Sequence, residues 1–300
     1  MAENLSPIAD ADLIELCQLA KSEGGNRRLT PEFVRWWYFN NPVGKPLLMK
    51  LTAEDRIEGY VTTNQFPFRI DGKSVQVAMP QNVLTSSRMR GKGWFRRLYL
   101  EIELANERSG VHDFLTFTNT MSTPIFLEKF GYRQCADVGL WFTWVNPLRR
   151  LKKGDGIREV SLNEVVWHAW RQPTNGMEKT EVYLRWRYER YTANELRILA
   201  LHDDQGRLAY AVLKRHRAKG MPVWLLMELF FLEGADRGSL LEQIACWSST
   251  TWSLGVLHFS MPGDQRVSGS WLFRQRFNLL SKGPHSHLAM EWVWGDLDIV

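Results

Sequence analysis

Cysteine is scarce in this chain: Cys17, Cys135 and Cys246 are the only three, and they lie far apart. They offer neither a disulfide framework nor the paired spacing of a zinc site, so no metal is expected and the reading is of a reducing, cytoplasmic compartment. Long apolar runs are missing too. No stretch of about 18 apolar residues occurs, so no membrane span is expected. Met1-Ala2-Glu3-Asn4 lacks the basic-then-apolar pattern of an export signal. Charge is only weakly one-sided, at +5, with 38 Lys and Arg against 33 Asp and Glu. The basic residues are scattered among carboxylates rather than gathered beside stacking aromatics, which argues against a nucleic-acid partner. Small anionic partners stay open.

What the chain does have is ample apolar material. At 300 residues and 44% hydrophobic composition it can fill two cores of ordinary domain size. Its 14 tryptophans, Trp36, Trp37, Trp94, Trp167 and Trp186 among them, mostly fall in amphipathic or strand-like runs and read as core packing. The 12% of aromatic residues leaves room for an apolar homodimer surface.

An internal repeat organises these runs. Arg35-Trp36-Trp37-Tyr38 is echoed by Arg185-Trp186-Arg187-Tyr188, each after a helix start at which Thr30 or Thr180 is the expected cap. Strand-turn-strand patterns follow both, over 47–62 and 197–213, with Tyr60 and Tyr210 at matching places. Phe126-Leu127-Glu128-Lys129-Phe130-Gly131, a helix end with Gly at the left-handed position, is mirrored by residues 273–278. The basic, glycine-containing connector at 147–156 divides the chain into domains at 1–150 and 151–300, with Val138–Val145 as the last strand of the first.

The densest signal is Arg88-Met89-Arg90-Gly91-Lys92-Gly93-Trp94-Phe95. An extended run, 75–85, leads into it, with Pro80 demoting the strand or bulging its middle. An amphipathic helix follows, with Phe95, Leu98 and Ile102 on one face. Two glycines among three basic residues, at a strand-to-helix turn, suit an anion: free N–H groups and the positive end of the helix dipole converge there. Next come a short strand at 113–119 and the helix-like run from Ser122 to Gly131.

In that order the pieces resemble the GCN5-related N-acetyltransferases, whose acyl-CoA pyrophosphate loop has the pattern R-x-x-G-x-G. The resemblance implies an α/β (α+β) fold of two tandem acetyltransferase-like domains, each a mixed, mostly antiparallel sheet flanked by helices. It also implies acetyl-CoA or another acyl-CoA as cosubstrate. Backbone groups of Val83, Leu84 and Thr85 would meet the pantetheine arm. Arg88, Met89, Arg90, Gly91, Lys92, Gly93 and Trp94 would hold the diphosphate, and Asn119 and Ser122 would bond the arm or the loop. The tandem arrangement is similar to Eis-type aminoglycoside acetyltransferases and to acetyltransferase-like proteins of bacterial polysaccharide clusters. In the second half, Leu232–Gly238 has the wrong glycine spacing and two carboxylates that oppose a phosphate, so one cofactor site is expected, in the first half.

Catalytic groups are thinner. The family's usual tyrosine acid finds Phe126 and Leu127 in its place, and its strand carboxylate finds Gln81 and Asn82. Glu58 is one candidate base, read as a turn residue. Asp298 and the Val300 carboxylate are the others, since in Eis-type proteins the chain terminus plays that part. The expectation is an N-acyltransferase using a small amine or amino sugar. A catalytically silent acyl-CoA-binding scaffold and a peptidoglycan-type aminoacyl transferase are the alternatives.

Overall fold

The computed structural model describes residues 3–26, 28–135, 138–144, 156–167, 170–192, 195–203, 205–259 and 270–296, without the side chains of 138, 139, 270–277 and 294. Two compact units divide it: Met1–Ala136 with Asn278–Leu288, and Asp137–Phe277 with Ala289–Val300. No helix among the described residues is long and apolar enough to cross a membrane.

The first unit opens with β1 (Asn4–Pro7) and α1 (Leu13–Ser22). The short α2 (Pro31–Val34) widens into a further turn over Arg35–Phe39. Thr30 caps α2 as its sequence suggests, accepting from Phe33 N at 3.2 Å. Strands β2 (Lys45–Ala53), β3 (Arg56–Ile70) and β4 (Lys73–Thr85) form an antiparallel meander. Asp71-Gly72, with φ of 48° and 78°, turns β3 into β4 as a type I′ hairpin. After α3 (Trp94–Arg108) come β5 (Asp113–Thr118), α4 (Thr123–Lys129) and β6 (Arg133–Gln134). The face of α3 carrying Leu98, Tyr99 and Ile102 is buried against Val61 and Ala78 of the sheet, Phe114 of β5, and Phe126 and Phe130 from α4 and its end. Phe95 is only partly buried.

The second unit contains β7 (Val138–Trp144), β8 (Arg158–Val160), β9 (Gly176–Met177) and α5 (Glu181–Tyr188). Strands β10 (Leu196–His202), β11 (Leu208–Ala218) and β12 (Met221–Phe231), helix α6 (Arg237–Ser249) and β13 (Gly255–Phe259) follow. Thr180 caps α5 through Tyr183 N at 3.2 Å, matching Thr30. Leu199, Leu213, Trp224, Leu240, Ile244 and Trp247 are among the residues of its core.

Two expectations are corrected. Residues 138–144 of the run expected to close the first half do not do so: β7 pairs with β13 in the second unit, and Val145 lies outside the described residues. Residues 273–278 do not form a helix end. They lie in β14 (Ser270–Lys282), where Phe273, Gln275 and Phe277 alternate with Arg274 and Arg276 in the period of a strand. Residues 270–277 of β14 pair with β7, whereas 278–282 pair with β5 and complete the first unit. The strand order is therefore β1-β2-β3-β4-β5-β14 in the first unit and β8-β10-β11-β12-β13-β7-β14 in the second.

Candidate functional site

All strand pairs of the first unit are antiparallel except β4 with β5, and that pair is short: only Val77↔Asp113 and Ala78↔Phe114 are in register. Beyond Ala78 the two strands part, and a single side-chain bond, Thr116 Oγ1 to Pro80 O at 3.0 Å, links them. The far edge of β4 thus presents main-chain donors and acceptors that no strand takes up. Ser86 N donates to Glu58 O at 2.8 Å. By alternation Leu84 faces β3 as well, and Thr85 faces the opening.

The expected bulge is present, two residues later than Pro80. Val61 stands opposite both Asn82 and Val83, and Asn82 has φ of 48°. A polar network holds it. Gln81 Oε1 accepts from Trp37 Nε1 at 2.9 Å and from Tyr38 at 3.2 Å. Tyr38 OH lies 2.7 Å from Thr62 Oγ1, and Thr62 donates to Gln81 O at 2.6 Å. Asn82 donates to Tyr38 at 3.2 Å and accepts from Asn26 at 3.1 Å. Trp37 and Tyr38 belong to the repeated R-W-x-Y motif, which marks the internal repeat without assigning them to the site, and nothing local in the sequence marks Asn26 or Thr62.

The basic turn joins β4 to α3. Gly91 and Gly93 have φ of 76° and 80°, which side chains avoid, and a Cβ at either would touch nothing within 4 Å. Conformation, not crowding, requires glycine here, and the space above the turn is open. Gly93 is the N-cap of α3 and supplies no side-chain cap. The first main-chain bond is Arg97 N to Gly93 O at 3.1 Å, so the N–H groups of Trp94, Phe95 and Arg96 stand outside the helical ladder. Met89 is buried beneath, and Arg97 lies over the Trp94 ring at 4.7 Å. Arg88 pairs with Glu54 at 2.7 Å and Glu58 at 3.3 Å, and Arg90 pairs with Glu23 at 2.9 Å. Lys92 is exposed.

Glu58 is not the turn residue the sequence suggests. It lies in β3, only 5% exposed, accepts from Ser86 Oγ and pairs with Arg88. Asn119 Oδ1 accepts from Met121 N at 3.0 Å and Ser122 N at 2.8 Å, and so shapes the start of α4. Phe126 is buried among Tyr99, Phe130 and Tyr132. The hydroxyls of Tyr99 and Tyr132 bond each other at 2.7 Å, and burial pushes both pKa values well up. Asp298 and Val300 lie outside the described residues.

The second unit repeats the strand geometry without the cradle. β12 pairs with β13 in parallel only at Trp224↔Val256 and Leu225↔Leu257, and a bulge separates Leu226 from Glu228. At the head of α6, however, Asp236 accepts from Gly238 N at 2.9 Å, so a carboxylate already caps that helix. Glu228 sits opposite Val212 as Gln81 sits opposite Thr62. It is buried, accepts from Tyr188 at 2.8 Å, and lies 3.3 Å from Lys179, which also bonds Asp296. A cavity of about 40 Å³ adjoins these three groups, room for a few waters.

Among the described residues, no group of three His, Cys, Asp or Glu side chains is arranged to hold a metal ion. Neither a protein-family model nor a curated protein matches the sequence. Solved structures do. The chain is similar to a GCN5-related N-acetyltransferase from Anabaena variabilis ATCC 29413, with TM-score 0.68 and 11% identity over 93% of this chain and 72% of that one. It is similar to a conserved protein of unknown function, a probable N-acyltransferase, from Enterococcus faecalis V583, with TM-score 0.69 and 12% identity over 94% and 73%. A GCN5-related N-acetyltransferase from Kribbella flavida gives TM-score 0.65 and 14% identity over 93% and 70%. At such identities the likeness establishes the fold: the chain has the architecture of these acetyltransferases.

Proposed function

We propose that this protein is an acyl-CoA-dependent N-acyltransferase that uses the first unit to hold its cosubstrate and transfers the acyl group directly to a small amine or amino sugar. One observation carries the reading. β4 leaves β5 after Ala78 and runs, through a bulge, into an uncapped helix terminus beside three basic residues. An extended thioester with a diphosphate at one end matches that course. The pantetheine arm pairs with the free edge of β4 at Val83 and Thr85, with Leu84 between them bonded toward β3. The diphosphate meets the amides and cations of Arg88 through Trp94. Asn119 and Ser122 flank the arm from the start of α4.

The chain's own groups then have separable tasks. A backbone N–H beside the bulge polarises the thioester carbonyl, while Tyr38 and Gln81 keep the bulge in place. The base is assigned to the C-terminal residues Asp298 and Val300. Glu58, whose carboxylate already serves Ser86 and Arg88, is the alternative. Deleting residues 297–300 separates the two: transfer is lost and acyl-CoA binding kept if the terminus supplies the base. The α6 terminus, capped by Asp236, supports a single cofactor site.

A second reading is a silent acyl-CoA-binding scaffold. It is favoured by Phe126 and Leu127, which lack an acid for the departing thiolate, and by Gln81, which cannot take a proton. Titration with acetyl-CoA tests the cofactor site. A thiol-release assay over a panel of amines and amino sugars separates enzyme from scaffold: release with one acceptor class supports transfer, and binding without release supports the scaffold. An aminoacyl transferase would bind no acyl-CoA.

A further inference from the structure

Two of the three cations expected to hold a diphosphate are already engaged. Arg88 reaches Glu54 Oε2 at 2.7 Å and Glu58 Oε1 at 3.3 Å, and Arg90 reaches Glu23 Oε2 at 2.9 Å. The three carboxylates come from three places remote in sequence: the residue after α1, the β2–β3 turn, and β3 itself. Glu58 is buried and tied to Ser86, so it belongs to the scaffold of the turn. Glu54 differs, since its side chain is 51% exposed; Glu23 is 16% exposed but meets Arg90, whose own side chain is more than half exposed.

Glu54 also stands in an unfavourable place. Glu54 and Asp55 have φ of 52° and 59°, the two left-handed positions of a tight hairpin that ordinarily falls to Asn-Gly. A side chain kept there against backbone preference calls for a reason beyond the turn, and among the described residues it forms an ion pair with Arg88. Glu23 holds the other flank: Ser87 Oγ donates to its second oxygen at 3.0 Å, so it orders the turn as well as neutralising Arg90. Hydrogen bonds from Ser87, backbone first and then hydroxyl, with Arg90 behind them, hold the Glu23 carboxyl below its ordinary value, and the hydrogen bond and charge of Arg88 do the same at Glu54.

We propose that Glu23 and Glu54 are resident anions of the cosubstrate site: cosubstrate binding exchanges these carboxylates for phosphate oxygens on Arg90 and Arg88, and thereby sets how much negative charge a ligand must carry to be accepted. The inference rests on the acyl-CoA reading. A monoanion gains little by replacing a tethered carboxylate, whereas a diphosphate meets both arginines and the open amides of α3 at once. Lys92, exposed and without an ion pair among the described residues, is the cation first met by the incoming ligand. Neutralising either carboxylate makes binding tighter, the opposite of what loss of a structural residue does.

Calorimetric titration with coenzyme A, at one ionic strength, on the wild type, Glu23→Gln, Glu54→Gln and the double variant tests this. Glutamine keeps an acceptor for Ser87 while removing the charge. An ion pair to a largely exposed arginine is worth little, so each substitution should tighten binding by about two- to five-fold, and the pair by about four- to twenty-five-fold. Inorganic pyrophosphate should compete with coenzyme A on the double variant at concentrations without effect on the wild type. Unchanged or weaker binding by both single variants, with the wild type binding normally, overturns the inference and leaves the acyl-CoA reading intact. No binding by any of the four proteins, each checked for an intact thermal transition, removes the acyl-CoA reading and the inference with it.

Discussion

Tyr188 donates its hydroxyl to Glu228 at 2.8 Å, and the matching pair in the first unit is Tyr38 with Gln81 at 3.2 Å. Both tyrosines close the repeated R-W-x-Y motif, and both partners sit beside a strand bulge. The carboxylate that the first unit lacks at this position is therefore present in the second, where Lys179 and Asp296 surround it.

That pairing gives a pH dependence with a defined sign. Burial, opposed by Lys179 and reinforced by Asp296, lifts the Glu228 carboxyl from 4.5 to about 7. Tyr188 bonds the same carboxylate, Tyr183 and Arg187 feel its charge, and Arg171 and Glu291 line the same cavity. The folded state thus keeps a proton that the unfolded chain releases. This contribution to stability is present below pH 4.5 and is lost as pH rises through about 7. Glu228→Gln should narrow the fall in melting temperature between pH 5 and pH 8. A variant whose melting temperature falls as steeply as the wild type's would exclude Glu228 as the cause.

His258 acts in the opposite direction, at lower pH. It is buried, its Nε2 lies 2.8 Å from Thr143 Oγ1, and burial with Arg237 nearby drives its pKa from 6.5 to about 3. Protonation accompanies unfolding, so the stability it supplies is complete above pH 6.5 and drains away toward pH 3. About 3 kcal/mol should be lost by pH 4. Denaturant titrations of wild type and His258→Gln at pH 7 and pH 4 measure it, with a shallower acid dependence expected for the variant.

In the basic turn, Gly91→Asp and Gly93→Asp should each weaken acetyl-CoA binding by more than about tenfold, and by more than Lys92→Ala. Each adds a charge opposing the phosphate. Each also imposes a left-handed backbone on a side chain, costing about 1–2 kcal/mol in stability. Calorimetry for affinity and thermal melts for stability separate the two effects. Equal affinity for Gly93→Asp and wild type would place the diphosphate elsewhere.

Tyr38→Phe removes the hydroxyl shared by Thr62, Gln81 and Asn82. Leaving buried Thr62 and half-buried Gln81 and Asn82 with one partner fewer should cost about 1–3 kcal/mol. If Tyr38 holds the bulge as assigned, acetyl-CoA affinity falls with it. Stability lost with affinity unchanged would confine the residue to packing.

Much of the first unit is legible in the amino-acid order because its signals are local. Thr30 and Thr180 mark helix starts, and Gly91 and Gly93 sit where the strand turns into a helix. Placement of the bulge was harder. Pro80 is the visible irregularity, but a strand can absorb a proline on its open side, and the extra residue fell at Asn82 where side-chain bonds from Tyr38 and Asn26 stabilise it. The roles of β7 and β14 were not legible at all. Which edge a strand joins depends on partners more than a hundred residues away, and Phe126–Gly131 and 273–278 share residues but not period. Glu58 shows the same limit: its burial follows from Ser86 and Arg88, neither close to it in sequence.

The return of residues 278–288 to the first unit has a consequence for how the chain is made. Leu279 and Leu280 pair with β5, Lys282 bonds Glu103 at 2.7 Å, and His285 bonds Asp113 at 2.9 Å. On the ribosome the nascent N-terminal portion waits with an open β5 edge until almost the entire polypeptide has emerged. Expression of residues 1–150 alone should accordingly yield an aggregating fragment, and adding 278–288 as a separate peptide should recover soluble material.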